Sequence, residues 1–202
     1  MNGNMHTHPA TPSTEEISRY LKLGASVPAD ALAKRICDLQ KQAAAIMRPT
    51  HIWGRFPVTE GKIGSRLLGF SVSGTLAKHL DGCREAYLAC GTIGAEFDAM
   101  QRKAAAISAS DALIVQAIGT AMIEKWMDFT ESEIRKELRE GEHLTSRYSP
   151  GYGDLPIESQ HTILNLLDAS RKIGVSLTGS LMMVPSKSVS AVIGVRRNAF
   201  KR

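Results

Sequence analysis

Apolar residues spaced three and four positions apart predict helices in several parts of the chain. Residues 14–23 form a short predicted helix, and a longer one follows a start signal at Ser26 and Pro28 and stops at Pro49. Its core-facing positions are Leu32, Ile36, Leu39, Ala43 and Ile46. The longest helical stretch opens at Asp111, and the charged residues 131–140 form its exposed end or a second helix.

Two further helices are predicted from residues that favour helix starts. Ser73 and Gly74 precede a short helix that runs through Leu80. Asp154 and Pro156 introduce a later helix. The apolar stripe of this later helix is formed by Ile157, Leu164 and Leu167. The predicted helices are therefore separated by segments that lack helical spacing.

Strands are predicted where the helical spacing is lost. Residues 52–68 loosen into strand and loop, and residues 86–90 form a mostly buried strand. Residues 175–178 alternate and residues 189–195 supply a second run, which together predict a β-hairpin or neighbouring antiparallel strands around a turn at 185–187. Helices and strands mix without a repeated strand-helix unit. The pattern therefore predicts an α+β fold, with an antiparallel sheet flanked by helices.

The composition favours one globular domain. With 202 residues and 43% hydrophobic content, the chain can bury a full core, so we expect a single domain over residues 14–202 after a flexible tail at 1–13. We expect no membrane segment, because no apolar run approaches the roughly 18 residues that one needs. The start of the chain lacks the pattern of a signal peptide. Three cysteines without a paired spacing fit reduced thiols, and we expect a cytoplasmic protein.

The distribution of charge and of histidines argues against a nucleic-acid-binding protein and against a metal site. The net charge is +5, but the basic residues are scattered and aromatics make up 5%, so the pattern expected of a nucleic-acid-binding protein is missing. A modest positive charge suits an acidic protein partner equally well. His6 and His8 are two ligands without a third, so we expect no metal site.

One hexapeptide narrows the chemistry further. Residues 147–152 read Arg-Tyr-Ser-Pro-Gly-Tyr. Arg147 offers a fork of donors for a carboxylate, Pro150 and Gly151 favour a turn with free peptide groups, and Tyr152 can lie against a cation or a purine. S-adenosylmethionine carries a carboxylate, a sulfonium and an adenine, so these features suit it. The same six residues are also typical of an ordinary surface turn.

The residues that follow extend the pattern. They include Gly-Asp-Leu-Pro-Ile-Glu at 153–158, Leu-Asn-Leu-Leu-Asp at 164–168, Ile-Gly-Val-Ser-Leu-Thr at 173–178 and Met-Val-Pro-Ser-Lys-Ser-Val-Ser at 183–190. This run resembles the C-terminal activation domain of cobalamin-dependent methionine synthase, which carries an Arg-x-x-x-Gly-Tyr signature. Upstream, residues 80–83, 90–94 and 117–121 resemble small, free-standing relatives of that domain.

The resemblance implies a site for S-adenosylmethionine. It assigns ligand binding to Arg147, to the backbone of Ser149, to Gly151 and to Tyr152, and it implies neither a catalytic triad nor a bound metal. Gln116, Glu124 and Thr178 are second-tier positions. The acid that meets the ligand ammonium is not fixed by the sequence; the alternatives are Glu15, Glu16 and Glu124.

The chain also departs from the family pattern. Gln116 stands where some activation domains have an acidic ligand contact, and Gly179 follows Thr178 where many have a glutamate. A late tyrosine that helps to hold the ligand has no clear counterpart, and Phe200 is the nearest substitute.

The function implied is the repair of an inactive corrinoid. In the family, a flavodoxin-type donor supplies an electron to Co(II) cobalamin, and S-adenosylmethionine methylates the resulting Co(I). The chain lacks an Asp-x-His-x-x-Gly cobalamin signature, so cobalamin is expected on a partner, the cobalamin-binding module of methionine synthase or another corrinoid protein. The chain would then be an accessory subunit of a methyltransferase system.

Two alternatives remain at the level of sequence. One is a non-catalytic adaptor or chaperone of a corrinoid protein that has lost ligand binding, which the departures at Gln116 and Gly179 allow. The other is an ordinary methyltransferase with a small-molecule acceptor. The second is disfavoured, because no strand followed by Gly-x-Gly-x-Gly is present.

Overall fold

Helices and strands are mixed along the described parts of the chain without a repeating unit. A computed structural model of the protein describes residues 10–21, 30–59, 61–64, 68–69 and 74–197. The helices are α1 Thr14–Tyr20, α2 Asp30–Ile46, α3 Thr75–His79, α4 Glu96–Ile107, α5 Ala109–Arg135, α6 Ser159–Leu167 and α7 Ala169–Ile173. The strands are β1 Thr50–Thr59, β2 Lys62–Ile63, β3 Leu68–Gly69, β4 Cys83–Thr92, β5 Glu142–Leu144, β6 Ser176–Leu177, β7 Met183–Val184 and β8 Ser188–Arg197.

The helices form where the sequence supplies caps and an apolar face. The Ser13 hydroxyl accepts a hydrogen bond from the Glu16 amide, and the Glu16 carboxylate accepts one from the Ser13 amide, a capping box that starts α1. The predicted α2 and α5 are confirmed, and residues 131–135 are the end of α5. Helix α4 was not predicted, because it buries only Phe97 and Ala104 and so carries little apolar periodicity.

The main sheet has six strands in the order β3-β2-β1-β4-β8-β5. β1 pairs antiparallel with β2, β2 with β3, and β5 with β8. β4 and β8 lie inside the sheet and bury continuous runs of residues, as expected for central strands. Helix α6 contacts β3 and β8. The predicted α+β class with an antiparallel sheet is confirmed.

The predicted pairing near the C-terminal end is wrong. β6 pairs with β7 in a separate two-stranded sheet, with Ser176 opposite Val184, whereas β8 lies between β4 and β5. The physical reason is burial. β8 buries Ser190–Val195 without a break and needs neighbours on both edges, whereas β6 is only two residues long.

Two compact units can be distinguished along the chain. The first falls within Met1–Thr50, Thr92–Phe129 and Pro185–Lys187, and its helix α2 contacts α1 and α4. The second falls within His51–Gly91, Thr130–Val184 and Ser188–Arg202 and holds the sheets. Its core is formed by buried side chains of the sheet and of α6, including Leu88, Cys90, Ile163, Leu167 and Val192.

Several sequence predictions concern residues that the structure describes in part. Of the predicted tail at 1–13, residues 1–9 lie outside the described residues, while Ala10 and Pro12 are buried. The single-domain prediction stays a prediction. Cys37, Cys83 and Cys90 are free thiols. Among the described residues, no helix has both the length and the apolar content that crossing a membrane requires.

Candidate functional site

The hexapeptide 147–152 forms a loop that starts beside the main sheet. Thr145 donates its amide to the Gly194 carbonyl at 2.9 Å, and its hydroxyl accepts the Gly194 amide at 2.8 Å. Tyr148 then forms an isolated antiparallel bridge with Val192, with N···O distances of 2.9 and 2.8 Å. The start of the loop is thereby fixed to the buried strand β8.

Beyond Tyr148 the chain turns tightly. The Tyr152 amide donates to the Ser149 carbonyl at 3.1 Å, and the Gly151 amide donates to the Leu155 carbonyl at 2.8 Å. Gly151 has φ +84°, a left-handed conformation that side chains disfavour, and a Cβ there would also lie 3.1 Å from Ile157. The glycine of the signature is therefore required by the turn itself.

A hydrogen-bond network, here called the loop brace, ties this turn to α3. It consists of Thr75, Tyr148 and Asp154. The Thr75 and Tyr148 hydroxyls lie 2.6 Å apart, and Asp154 Oδ1 accepts from Thr75 at 2.5 Å and from Tyr148 at 3.3 Å. Hydrogen bonding, first from the Thr75 hydroxyl and then from the Leu76 amide, lowers the pKa of Asp154 below its usual range.

Asp154 caps α3 and not α6, contrary to the sequence prediction. Its Oδ1 accepts the Leu76 amide at 2.9 Å, which satisfies one of the donors at the start of α3. The N-cap residue of α3, Gly74, makes no side-chain cap of its own, and a Cβ on it would overlap Asp154 Oδ2. A carboxylate from a remote loop thus replaces the local capping side chain, which helix-start patterns do not reveal.

Arg147 is held near the start of the loop by an acidic side chain. Its Nη1 lies 3.6 Å from Glu131 Oε2 near the end of α5, and its side chain is 19% exposed. Glu131 also pairs with Arg135 one turn later. The guanidinium is thus both partly buried and oriented, and such an arrangement suits recognition of a carboxylate.

Tyr152 presents an open aromatic ring. The residue is 70% exposed, and its ring meets Tyr148 edge to face, with centroids 5.6 Å apart. Because Tyr148 is buried and belongs to the loop brace, the exposed ring rests on a fixed support. An exposed aromatic ring with a rigid base is suited to stacking on a planar or cationic ligand group.

The second-tier positions have other surroundings. In the first unit, the Gln116 side chain accepts from Gln101, and Glu124 lies on α5. In the second unit, Thr178 Oγ1 accepts the Met182 amide at 3.1 Å and so closes the β6–β7 hairpin. Phe200 lies outside the described residues.

Glu16, one of the three glutamates considered as partners of the ligand ammonium, already has partners within the protein. Glu16 pairs with Lys125 at 2.7 Å besides capping α1. Among the residues that the structure describes, no three His, Cys, Asp or Glu side chains are grouped so that they could hold a metal ion.

Comparison with solved structures identifies the fold. The crystal structure of the MetH reactivation domain bound to AdoHcy aligns with a TM-score of 0.64 over 92% of this chain and 74% of that one, at 20% identity. The fold is thus that of a methionine synthase reactivation domain.

A family model identifies the family. The model for the activation domain of vitamin B12-dependent methionine synthase matches residues 71–200, which include α3, the loop and the main strands β4 and β8. The chain belongs to this family. No curated protein matches it.

Proposed function

We propose that the loop 147–152 binds S-adenosylmethionine and that the chain uses it to support the reductive methylation of cobalamin on a partner protein. The observation that carries the proposal is the braced loop, in which an oriented arginine and an exposed tyrosine flank a glycine turn. Family membership supports it. So does the likeness to a reactivation domain bound to AdoHcy, the demethylated form of the ligand.

Each loop residue has a definite part in this proposal. Arg147 receives the ligand carboxylate, which joins or displaces Glu131 in the existing ion pair. Gly151 lets the backbone approach the ligand, and the Ser149 backbone holds a polar end. Tyr152 flanks the sulfonium or the adenine. The loop brace keeps these groups in place before the ligand arrives, so that little ordering accompanies binding.

The reaction follows from the sulfonium of the ligand. Cobalamin is the substrate and is carried by a partner, the cobalamin-binding module of methionine synthase or another corrinoid protein. A flavodoxin-type donor supplies one electron, and the reduced cobalt takes the methyl group as the sulfur–methyl bond breaks and S-adenosylhomocysteine leaves. Because the sulfonium releases a neutral thioether, which is a good leaving group, this chain contributes orientation and needs no general acid. Free thiols suit the reducing cytoplasm that such chemistry requires.

Calorimetric titration with S-adenosylmethionine and S-adenosylhomocysteine tests the ligand. We expect Arg147→Ala to weaken binding by about 1.5–3 kcal/mol, the range for a lost charge-assisted hydrogen bond. Arg171→Ala is the matched control, because it removes a guanidinium that is 78% exposed and paired with Asp168, three residues earlier in the chain. Equal affinities of both variants would contradict the assignment of Arg147.

A reactivation assay tests the role. The chain is mixed with an inactive cobalamin-loaded module, a one-electron reductant and S-adenosylmethionine, and methylcobalamin is followed by its absorption. We expect methylation with the unchanged chain and with Arg171→Ala, and a reduced rate with Arg147→Ala. Binding to the module that is independent of S-adenosylmethionine, without methylation, would point to an adaptor instead.

A further inference from the structure

A pocket in the second unit shares no residue with the loop 147–152. It is formed where the start of β4, the end of β8 and the segment before β5 meet, and it has a volume of about 340 Å³. The residues lining it are Gly82, Arg84, Glu85, Arg139, Glu142, Val195 and Arg197. The volume is within the range of pockets that take small molecules.

The two carboxylates of this pocket are already neutralised from within the protein. Arg55 on β1 donates through Nη2 to Glu85 at 2.6 Å and to Glu142 at 2.8 Å. The second oxygen of Glu142 accepts the Arg139 amide at 3.0 Å. These bonds, the one from Arg55 first, lower the pKa of Glu142 to about 2, so it is ionised at neutral pH.

The three remaining arginines have no such partner. Within the part of the chain that the structure describes, none of Arg84, Arg139 and Arg197 forms an ion pair. Arg197 lies directly opposite Glu142 across the β5–β8 pair, but Glu142 is bound to Arg55 and to the Arg139 amide. Counting Arg55 with the three arginines of the lining, there are four positive side chains and two carboxylates, so the formal charge is +2.

We infer that this pocket binds a small molecule through a phosphate monoester. A phosphate monoester carries a charge of about −1.5 to −2 near neutral pH, which matches the excess of positive charge. A guanidinium group can bind two phosphate oxygens at once with fixed geometry, and three arginines line this cavity. The pocket is larger than a phosphate ion requires, so it has room for a few carbon atoms beyond it.

Thermal unfolding of the full chain in the presence of defined probes tests this inference. The probes are inorganic phosphate and glycerol 3-phosphate, and glycerol and sodium chloride at equal ionic strength are the controls. A ligand that binds the folded state raises the melting temperature progressively with its concentration. We expect the rise with both phosphates at millimolar concentration and not with glycerol or chloride.

Charge-matched variants separate a pocket from a general salt effect. Arg84→Gln/Arg197→Gln removes two guanidiniums from the pocket, and Arg102→Gln/Lys103→Gln removes two exposed charges from α4. We expect the apparent Kd for glycerol 3-phosphate to rise at least tenfold in the first variant and to stay unchanged in the second. The single variants Arg84→Gln and Arg197→Gln replace the double one should it unfold without ligand.

The outcomes are distinct. The same shift in both double variants would show a general effect of the anion on stability and overturn the inference. Binding of a hexaglutamate peptide with no response to either phosphate would overturn it too, and would identify the pocket as a docking surface for an acidic protein. Neither probe resembles S-adenosylmethionine. A negative result with the phosphates would therefore overturn this inference without affecting the calorimetric test of Arg147.

Discussion

Lys187 is a buried cation whose removal should stabilise the protein at neutral pH. The residue is 7% exposed, and its Nζ donates to Thr120 Oγ1 at 3.0 Å and to the Gln116 carbonyl at 3.3 Å. Among the described residues it has no carboxylate in ion-pair contact, and the charge of Asp98 acts on it only from a distance. Burial therefore dominates and lowers the pKa of Lys187 from 10.5 to about 8.

The size of the effect follows from this difference. A tenfold change in proton affinity corresponds to about 1.4 kcal/mol, so a fall from 10.5 to about 8 corresponds to a cost of roughly 3 kcal/mol while the amine is charged in both states. The cost is fully present below pH 8. It disappears as the pH rises from 8 to 10.5, because the unfolded chain then binds a proton that the folded chain has released.

The assay compares unfolding by denaturant in the unchanged chain and in Lys187→Met at several pH values. Methionine fills a similar volume without a charge, and the Gln116 carbonyl keeps its hydrogen bond from the Thr120 hydroxyl. We expect the variant to be more stable at pH 7, and this advantage to shrink by roughly 2–3 kcal/mol by pH 10. Titrations of other groups cancel in the difference between the two chains.

Lys103→Met on α4 is the matched control, since Lys103 is exposed. Its stability relative to the unchanged chain should not vary between pH 7 and 10. A constant difference for Lys187→Met across the same range would refute the reasoning, because it would show that the amine keeps its ordinary pKa in the folded protein.

Three other substitutions or reactions give separate tests. Tyr148→Phe removes two bonds of the loop brace and should lower the free energy of unfolding by about 1 kcal/mol and weaken S-adenosylmethionine binding; an unchanged affinity would mean that the brace does not position the loop. Gly119→Ala should cost about 1–3 kcal/mol, because its Cβ would overlap the Phe97 ring; a more stable variant in denaturant unfolding would contradict this packing. Burial raises the pKa of Cys90 to about 12, so at pH 8 a thiol reagent should modify the half-buried Cys37 first and Cys90 only in denaturant; mass spectrometry of labelled peptides would reveal the reverse order.

Local signals in the sequence were sufficient for the elements that depend on their own residues. Helix α2 was predicted because Ile36, Leu39 and Ala43 form one buried face, and the chain leaves the helix before Pro49. The turn at Pro150 and Gly151 was predicted from these two residue types, and the structure has Gly151 at a positive φ. In each case the relevant contacts lie within a few residues.

Features that depend on distant residues could not be predicted in this way. The carboxylate that caps the start of α3 belongs to Asp154, which is 78 residues from Leu76 in the chain. In the sequence, Asp154 looks equally like a cap for α6, the helix that follows it. The strand β8 pairs with β5 and not with the nearer β6, because sheet order is decided by which strands must be buried on both faces. The ion pairs of Arg55 likewise connect three separate strands, because Arg55 is on β1, Glu85 on β4 and Glu142 on β5.

The bond between Asp154 and α3 limits how the Arg-x-x-x-Gly-Tyr signature can be transferred to another protein. The hexapeptide obtains its shape from Thr75 and from the open space at Gly74, which lie far upstream. Bringing such distant segments together has an entropic cost that is recovered only when the surrounding unit has folded. Grafted alone onto another scaffold, Arg-x-x-x-Gly-Tyr would be a flexible peptide, so the transferable module has to begin before residue 74.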